Sequence, residues 1–547
     1  MCDGTGTPAR TADVAIDGRR IVALERYAGA AHRELDVTGL VVAPGFVDVH
    51  THYDAQLLWD GLCTPSCWHG VTTVVVGNCG FALAPCRTSD RERLLRMLEH
   101  VEGMPFESLR AGVRWSWQSI PEYLDVLRAT ALGPNVGILV GHSAVRLFVM
   151  GDAASERAAT DEEVASMQAI VREAMAAGAL GLATSRSPGH VGEGGRPVPS
   201  RLASRAELSA LAAAMASSGR GVLELTPETF PIEDQELAFV QDLGLATGRP
   251  VSFSAILDLP GRDRVWDPVW AQVRAGLARG AAVFPQVSCR PMRFEFDLVT
   301  GCASLDAVPA WRRFREAADL AARMRLLVDP EFRGAVRAAT LGRAESPSSR
   351  RWAEVVVEEV RSPDQRRFVG ATLAEVAAAR GGDPIDALFD LARADGLATR
   401  FSMLLLNYDE DRVAELLQQP DGLIALSDAG AHVSVLCDAG YATHLLGHWV
   451  RERSVLRLEE AVRRLTSMPA DAYGVAGRGR LAPGAAADVV CFDPSRVGSR
   501  PPERVADLPG GAERVVVRPD GIVHVLVGGV PLIEDGRWTG RYPGQVL

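Results

Sequence analysis

From residue 43 onward, short apolar runs alternate with stretches of helical periodicity, and this alternation constrains the fold more than any other feature of the chain. Eight of the runs are predicted to be β-strands: 46–52, 70–78, 135–142, 179–185, 220–226, 249–256, 280–288 and 422–428. Strands that alternate with helices form a parallel sheet with crossover helices. Eight such units predict an α/β fold, a closed (β/α)8 barrel. An open, doubly wound sheet is the alternative, but no glycine-rich phosphate loop supports it.

Two of the intervening helices carry clear boundary signals. Thr160 and Glu163 have the spacing of a capping box, and Gly178 supplies a stop for the same helix. Ser204 and Glu207 repeat the capping pattern in the next unit. We therefore expect helices to begin directly after residues 160 and 204.

The two ends of the chain have strand patterns without helices between them. Residues 13–24 alternate around an Asp17-Gly18 turn, which is typical of a hairpin, and strand patterns return at 487–493 and 512–534. We expect residues 1–42 and 482–547 to form one small β-sandwich domain and residues 43–481 to form the barrel. The interval 289–421 is too long for one crossover helix, so we expect an insertion over the barrel mouth, with helices at 312–325 and 373–380.

Composition excludes several classes of protein. A net charge of −11 and a pI near 5.6 argue against a nucleic-acid-binding surface. Nine cysteines, without a Cys-x-x-Cys pair, do not form the pattern of a disulfide framework. The sequence shows neither a secretory leader nor an apolar run of membrane-spanning length. We expect a cytoplasmic protein without nucleic-acid or membrane partners.

Four residues at predicted strand ends have the side chains of a metal site. His50 and His52 follow the first strand and point to one side of an extended chain. Cys79 follows the second strand and Asp428 ends the eighth. The carboxyl ends of barrel strands meet at one face, and this donor set suits zinc. Taken singly, each has a plainer explanation, as a buried histidine, a buried small cysteine or a helix N-cap.

A metal at this position would polarise a carbonyl group and lower the pKa of a bound water to about 7. Asp428 could then serve as a ligand, as the general base for that water, or as both in turn.

Several motifs together resemble the amidohydrolase superfamily, and more closely its N-acyl-D-amino-acid deacylase (D-aminoacylase) branch. They are 44–52 (Pro-Gly-Phe-Val-Asp-Val-His-Thr-His), 70–74 (Gly-Val-Thr-Thr-Val), 77–80 (Gly-Asn-Cys-Gly), 427–428 (Ser-Asp) and the tail segment 479–490. The resemblance implies a metal-dependent (β/α)8 hydrolase with a small β-sandwich built from both termini. It places zinc ligands on His50, His52 and Cys79 and the catalytic aspartate on Asp428.

The chain departs from the family pattern at the fifth and sixth strands, where that pattern has a histidine after each. Neither 221–227 nor 250–256 contains one, and no histidine occurs between 190 and 432. We therefore expect one zinc ion per chain, on His50, His52 and Asp428, with Cys79 near or bound; other divalent metals remain an alternative. Glu224 is the candidate replacement ligand. The alternative for Glu224 is a carboxylate paired with an arginine at the barrel rim.

Other strand ends offer candidates for substrate binding. His142, after the third strand, is a candidate to bind the substrate or the metal or to polarise the scissile carbonyl, and a structural histidine is the alternative. The α-carboxylate of an N-acyl amino acid needs a cation, for which Arg186 and Arg290 are candidates, with Ser288 as a hydrogen-bond donor. The glycine-rich loop around His190 is either a cover for the substrate or plain surface.

The leading interpretation is an amidohydrolase that cleaves a linear amide C–N bond, deacylating an N-acyl-D-amino acid or a similar small amide. One alternative is hydrolysis of a cyclic amide, an imide or a dipeptide-like metabolite. Another is a degenerate, metal-poor barrel that binds a small molecule without turnover, although His50, His52, Cys79 and Asp428 argue against it. The sequence leaves the oligomeric state open, a homo-oligomer included.

Overall fold

In this computed structural model, which describes residues 1–27, 29–299, 301, 305, 308–341 and 349–547, eight parallel strands form one sheet. Each strand pairs with the next one along the chain. The strands are β4 (Phe46–Asp48), β5 (Val71–Val76), β6 (Asn135–Gly141), β7 (Gly181–Ser185), β8 (Val222–Thr226), β9 (Val251–Ile256), β10 (Val283–Val287) and β14 (Leu423–Ile424).

The sheet closes between its first and last strands. Beyond β4 and β14, Thr51 and Ala429 form a parallel bridge. The His52 N–H donates to the Ala429 carbonyl at 2.7 Å. All eight predicted strands are present in the predicted order, so the (β/α)8 barrel is confirmed.

Helices connect the barrel strands, and none of those in the described residues is long and apolar enough to cross a membrane. The predicted capping box is present, because the Thr160 hydroxyl and the Glu163 carboxylate each accept the other residue's backbone N–H. Ser204 accepts the Glu207 N–H in the same way. The helices are α1 (Arg91–Glu102), α2 (Phe106–Gly112), α3 (Ile120–Ala129), α4 (His142–Met150), α5 (Asp161–Ala177), α6 (Arg205–Ala216), α7 (Asp234–Thr247), α8 (Asp267–Ala278), α14 (Glu410–Leu417), α15 (Tyr441–His444) with a π-helical continuation (Leu445–Glu452), α16 (Leu458–Leu465) and α17 (Ser467–Ala472).

Both ends of the chain contribute to a small β-domain, as predicted. The Ile21 N–H donates to the Ala485 carbonyl, and side chains from both ends share one apolar core. A hairpin joins β1 (Ala15–Asp17) and β2 (Arg20–Ala23). A five-stranded sheet joins β3 (Val41–Pro44), β15 (Val489–Phe492), β18 (Ile522–Val527), β19 (Val530–Glu534) and β20 (Arg537–Trp538), and β16 (Gly498–Val505) pairs with β17 (Arg514–Asp520).

The chain divides into two compact units, and Asp258–Asp263 with Pro291–Glu410 form the second. This unit has its own apolar core, in which Trp311 stacks on Phe314 with ring centroids 4.1 Å apart. The sequence predicts helices here but not its antiparallel sheet, in the order β11, β13, β12. The elements are β11 (Met292–Phe296), α9 (Arg312–Arg315), α10 (Leu320–Leu326), α11 (Pro330–Leu341), β12 (Val356–Glu359), α12 (Leu373–Arg380), α13 (Pro384–Ala394) and β13 (Arg400–Leu406).

Candidate metal centre

Three potential metal ligands converge where the first two barrel strands end. The ligand atoms of His50, His52 and Cys79 all lie within 4.8 Å of one another, and all three side chains are buried. The Cys79 Sγ lies 3.5 Å from the Nε2 of His50. Two imidazoles and a thiol are donor types that zinc binds. The side chains expected to meet at these strand ends therefore do lie together.

Asp428 brings a carboxylate to the same point from the last barrel strand. Its Oδ1 lies 3.2 Å from the Nε2 of His50 and 3.7 Å from the Nε2 of His52. Burial raises the pKa of this carboxyl, but the neighbouring imidazoles of His52 and His50 lower it more, so that the pKa lies below its usual range. Asp428 is therefore ionised at neutral pH and is suited to bind a cation or accept a proton.

The loop that carries Asp428 lies directly against the His-x-His segment. The Ser427 hydroxyl donates to the His50 carbonyl at 3.0 Å. Gly430 has φ +94°, and a Cβ at this position would lie 2.7 Å from the His52 carbonyl oxygen. A glycine is needed here both for the backbone conformation and for this close approach.

A glutamine orients the first histidine. The Nδ1 of His50 lies 2.7 Å from the Oε1 of Gln286, whose amide nitrogen donates to Ser252 at 3.1 Å and to Tyr473 at 3.2 Å. The amide oxygen accepts a hydrogen, so Nδ1 carries it and Nε2 presents its lone pair towards Cys79 and Asp428. Gln286 was not predicted from the sequence as a site residue, and its one sequence signal is its place near the end of strand β10.

A buried carboxylate lies beside the second histidine. The Oε1 of Glu102 is 3.4 Å from the Nδ1 of His52, and the Glu102 carbonyl accepts the His432 N–H. Burial raises the pKa of Glu102 to about 7. Glu102 is not among the site residues that the sequence predicts. Its one local signal is an acidic side chain in the last turn of α1, where the helix dipole disfavours negative charge.

Backbone geometry fixes the loop that carries Cys79. Gly77 has φ +85°, and a Cβ there would lie 2.4 Å from the Leu139 carbonyl oxygen. Cys79 itself has φ +55°. The Asn78 amide nitrogen donates to the Val75 carbonyl at 2.9 Å. This tight turn directs the thiol towards the histidines instead of continuing strand β5.

Glu224 holds the Cys79 loop from strand β8. Its Oε2 accepts the Cys79 N–H at 2.8 Å, and its Oε1 accepts the Ser254 hydroxyl at 3.2 Å. Burial raises the pKa of Glu224 to about 7. Glu224 is fully buried and contacts no arginine in the described ranges, so the rim-arginine alternative does not hold. Its role as a metal ligand stays a prediction.

His142 is fully buried in a polar network at the start of α4. Its Nδ1 lies 2.8 Å from the Thr184 hydroxyl, and its Nε2 lies 2.9 Å from Glu207, which also pairs with Arg146. Both ring nitrogens therefore have partners inside the protein. These contacts agree with the alternative that His142 is a structural histidine.

Arg186 lies between two carboxylates. Its guanidinium is 2.6 Å from Glu228 and 3.1 Å from Glu236. Two neighbouring negative charges already balance its positive charge, so Arg186 is less suited to bind a substrate carboxylate.

Arg290 and Ser288 follow strand β10, the strand that carries Gln286. The Arg290 Nε lies 3.0 Å from the Oδ1 of Asp438, and the Ser288 hydroxyl accepts the Arg290 N–H at 3.2 Å. Burial raises the pKa of Asp438 to about 6, although Arg290 opposes this shift. Arg290 and Ser288 thus contact each other after β10, and their role in substrate binding stays a prediction.

The barrel, the His-x-His segment and the cysteine after the second strand define the class of protein. The chain belongs to the amidohydrolase family, whose sequence model matches residues 33–533. This match covers the whole barrel and most of the β-domain, so the resemblance seen in the sequence motifs is confirmed.

Within the family, the chain is similar to deacylases of D-amino-acid derivatives. The D-aminoacylase of Alcaligenes xylosoxydans xylosoxydans is 32% identical over 560 residues, covering 100% of this chain and 96% of that protein. A solved D-aminoacylase structure with a binuclear metal centre matches with a TM-score of 0.66 and 27% identity, over 100% of this chain and 97% of that one. An N-acyl-D-glutamate deacylase from Bordetella bronchiseptica, complexed with zinc and a phosphonate mimic of the tetrahedral intermediate, matches with a TM-score of 0.65 and 28% identity, over 100% and 97%.

Proposed function

We propose that this chain is a zinc-dependent deacylase that hydrolyses the linear amide bond of N-acyl-D-amino acids. The observation that carries the proposal is the convergence of His50, His52 and Cys79 within 4.8 Å, beside the carboxylate of Asp428. The substrate class and its D configuration rest on the relatives, a D-aminoacylase and an N-acyl-D-glutamate deacylase.

One ion per chain suits the donors that are present. His50, His52, Cys79 and Asp428 supply four ligands of types that zinc accepts. Strands β8 and β9 carry no histidine in the sequence, and their Glu224 and Ser254 bond to each other. A relative, D-aminoacylase, is described as activated by one metal and attenuated by a second. That description supports a single ion as sufficient for activity.

Asp428 is the residue that moves the proton. When bound, the metal polarises the amide carbonyl and makes a water more acidic. The Asp428 carboxylate accepts a proton from the attacking water as the new C–O bond forms. It returns this proton to the amide nitrogen as the C–N bond breaks. The products are a carboxylic acid and a free amino acid, and Asp428 is ionised again.

Arg290 is the proposed partner of the substrate α-carboxylate, with Ser288 beside it. A guanidinium matches a carboxylate geometrically, and Arg290 follows the strand that orients His50 through Gln286. Arg290 itself pairs with Asp438, but Arg186 is less suitable because two carboxylates, those of Glu228 and Glu236, balance its charge. We propose no ligand role for His142.

We place the enzyme in the cytoplasm. The eight cysteines in the described residues are all free of disulfide bonds, as is usual in a reducing compartment.

Elemental analysis and an activity panel test this function. Wild type and D428N are analysed for bound zinc and assayed with matched N-acyl-D- and N-acyl-L-amino acids. We expect about one zinc per chain, turnover of D substrates, and a kcat that falls roughly 10²- to 10⁴-fold in D428N. The exposed D242N serves as the control and should match wild type. A wild type without metal and without turnover rejects the proposal, and a fully active D428N removes the role of Asp428.

A further inference from the structure

One imidazole nitrogen near the metal centre is unused by the mechanism above. His190 lies on the loop after β7, with its Nδ1 2.7 Å from the Ser185 hydroxyl. Its Nε2 has no hydrogen-bond partner among the residues that the structure describes. His190 as a whole is half-buried, and its Nε2 is not closed off from solvent. A histidine whose Nδ1 is hydrogen-bonded and whose Nε2 has no partner in the described residues can bind a ligand through Nε2.

The loop fixes the position of His190 from both sides. The His190 N–H donates to the Ser187 carbonyl at 3.1 Å, and its own carbonyl accepts from the Arg201 guanidinium at 3.1 Å. Val191 and Pro197 close the loop with a β-bridge. The ring is therefore presented by an ordered turn.

The ring lies against the loop that carries the thiol ligand. His190 packs on Phe81 with ring centroids 5.3 Å apart, and Phe81 follows Cys79 by two residues. A Cβ on Gly80 would lie 3.1 Å from the Cα of Thr184, so the end of β7 contacts the same loop. These contacts place His190 beside the loop that carries Cys79, at the end of the fourth barrel strand.

The protonation state of His190 suits a neutral hydrogen-bond donor. Burial lowers its pKa to about 4, and the neighbouring His52 and His432 add to this shift. The Ser185 hydroxyl already accepts the Ser187 N–H at 3.1 Å. This arrangement favours a Ser185 hydrogen that points to Nδ1 and a ring hydrogen on Nε2. A neutral donor suits a carbonyl oxygen, whereas Arg290 suits the carboxylate.

We propose that the His190 Nε2–H hydrogen-bonds the carbonyl oxygen of the scissile amide and stabilises its negative charge when water adds, with Ser185 as the residue that positions the ring. The inference rests on the proposed deacylase function. Donors aimed at a developing oxyanion lower the barrier because the stabilised charge exists only in the transition state.

Two substitutions separate the two ring nitrogens. The asparagine of H190N has its amide near the Nδ1 position, and the glutamine of H190Q has its amide near the Nε2 position. We expect kcat for an N-acyl-D-amino acid to fall roughly 10²- to 10³-fold in H190N, with a clearly smaller loss in H190Q. KM and zinc content should stay close to wild type in both. S185A should lower kcat without changing KM, and the exposed H100N is the control.

Calorimetry supplies a readout that is independent of turnover. A phosphonate mimic of the tetrahedral intermediate should bind H190N more weakly by about the same factor as the loss in kcat/KM, whereas binding of the product D-amino acid should not change. An H190N variant with at least a third of the wild-type kcat, or one that outperforms H190Q, overturns the proposal. Loss of zinc or of product binding in both variants also overturns it. A wild type without any turnover rejects the deacylase function itself, and this inference with it.

Discussion

At the scale of single residues, different chemical groups orient the two histidines of the metal centre. The Nδ1 of His50 faces the neutral amide of Gln286 at 2.7 Å, whereas the Nδ1 of His52 faces the carboxylate of Glu102 at 3.4 Å. Partners of this kind fix the ring, and a carboxylate also raises the basicity of the ligand. We therefore expect His52 to be the stronger ligand and His50 to depend on Gln286 for its orientation.

Removal of the amide partner should weaken metal binding. In Q286A, His50 loses its partner at Nδ1 and can rotate or change tautomer, so we expect zinc affinity to fall about 10- to 100-fold. Competition with a chromophoric chelator measures this affinity directly. Gln272, a half-buried residue of α8 that donates to the Asp234 carbonyl, provides the control variant Q272A. Equal affinities in Q286A and wild type would show that His50 needs no partner.

A buried histidine outside the metal centre should make stability depend on pH. The ring of His69 lies 2.7 Å from the Thr443 hydroxyl and 2.8 Å from the Val517 carbonyl, and burial lowers its pKa to about 4. Below pH 6.5 the unfolded chain gains a proton at this histidine that the folded protein does not bind. His69 therefore destabilises the fold as the pH falls from 6.5 towards 4.

The variant H69Q isolates this contribution, because glutamine keeps a donor and does not titrate. The free energy of unfolding of wild type minus that of H69Q should decrease by about 1.4 kcal/mol for each unit that the pH falls below 6.5. Urea denaturation at several pH values between 7.5 and 5 measures the difference. A constant difference across this range contradicts the prediction.

At the scale of secondary-structure elements, those residues of the metal centre that follow a barrel strand were predictable from the sequence. Chain order equals sheet order in this barrel, so the residues that follow β4, β5 and β14 had to converge. Strand periodicity and the side chains at the strand ends therefore predict that His50, His52, Cys79 and Asp428 lie together. Glu102 was not predictable, because it reaches His52 from the last turn of a helix, whose direction depends on tertiary packing.

The sheet of the second unit shows a different limit of sequence reasoning. Strand β13 pairs with both β11 and β12, each separated from it by helices and long connections. No hairpin turn links these strands, so the chain contains no local signal for the pairing. Helices α12 and α13, which begin with a capping box and an Asp N-cap with proline, carry local signals in the same unit.

The turn after β5 should depend on its first glycine. In G77A, a Cβ meets the Leu139 carbonyl oxygen at 2.4 Å on a backbone with φ +85°. In G219A, a similar φ of +75° has no atom within 4 Å of the new Cβ. G219A should therefore lower the free energy of unfolding by about 1–2 kcal/mol, the cost of placing an alanine in the left-handed conformation. G77A should lower the free energy of unfolding by roughly a further 1–3 kcal/mol, because the new Cβ overlaps the Leu139 carbonyl oxygen.

Zinc content distinguishes the two glycine variants as well. Because Cys79 follows Gly77 by two residues, a shift of the turn moves the thiol, and G77A should bind less zinc than G219A. Thermal unfolding and elemental analysis of both proteins test this. Equal stability and zinc content in the two variants would contradict the role given to Gly77.

At the scale of the whole molecule, the β-domain is joined directly to the strand that leads to the metal centre. Only Gly45 separates β3, which pairs with β15, from barrel strand β4. The buried carboxylate of Asp488 accepts the Gly528 N–H at 2.7 Å and the Asn135 amide at 3.1 Å, and pairs with Arg478. These contacts tie the end of the chain to the barrel, so the β-domain contributes to the position of β4.

Zinc should stabilise the seam where the barrel closes. Among the described residues, the backbone bridge between Thr51 and Ala429 and the hydrogen bond from Ser427 to the His50 carbonyl join the two sides there, and the proposed ligands lie on both sides of the seam. An ion that binds only the folded chain adds about 2.7 kcal/mol of stability at a free concentration of 100 times its Kd. Zinc loading should therefore raise the unfolding midpoint and slow amide exchange at 46–52 and 423–429. C79S should lose most of this effect, whereas C491S, in the β-domain, should keep it. Equal exchange with and without zinc at these two segments would mean that the ion does not bridge the seam.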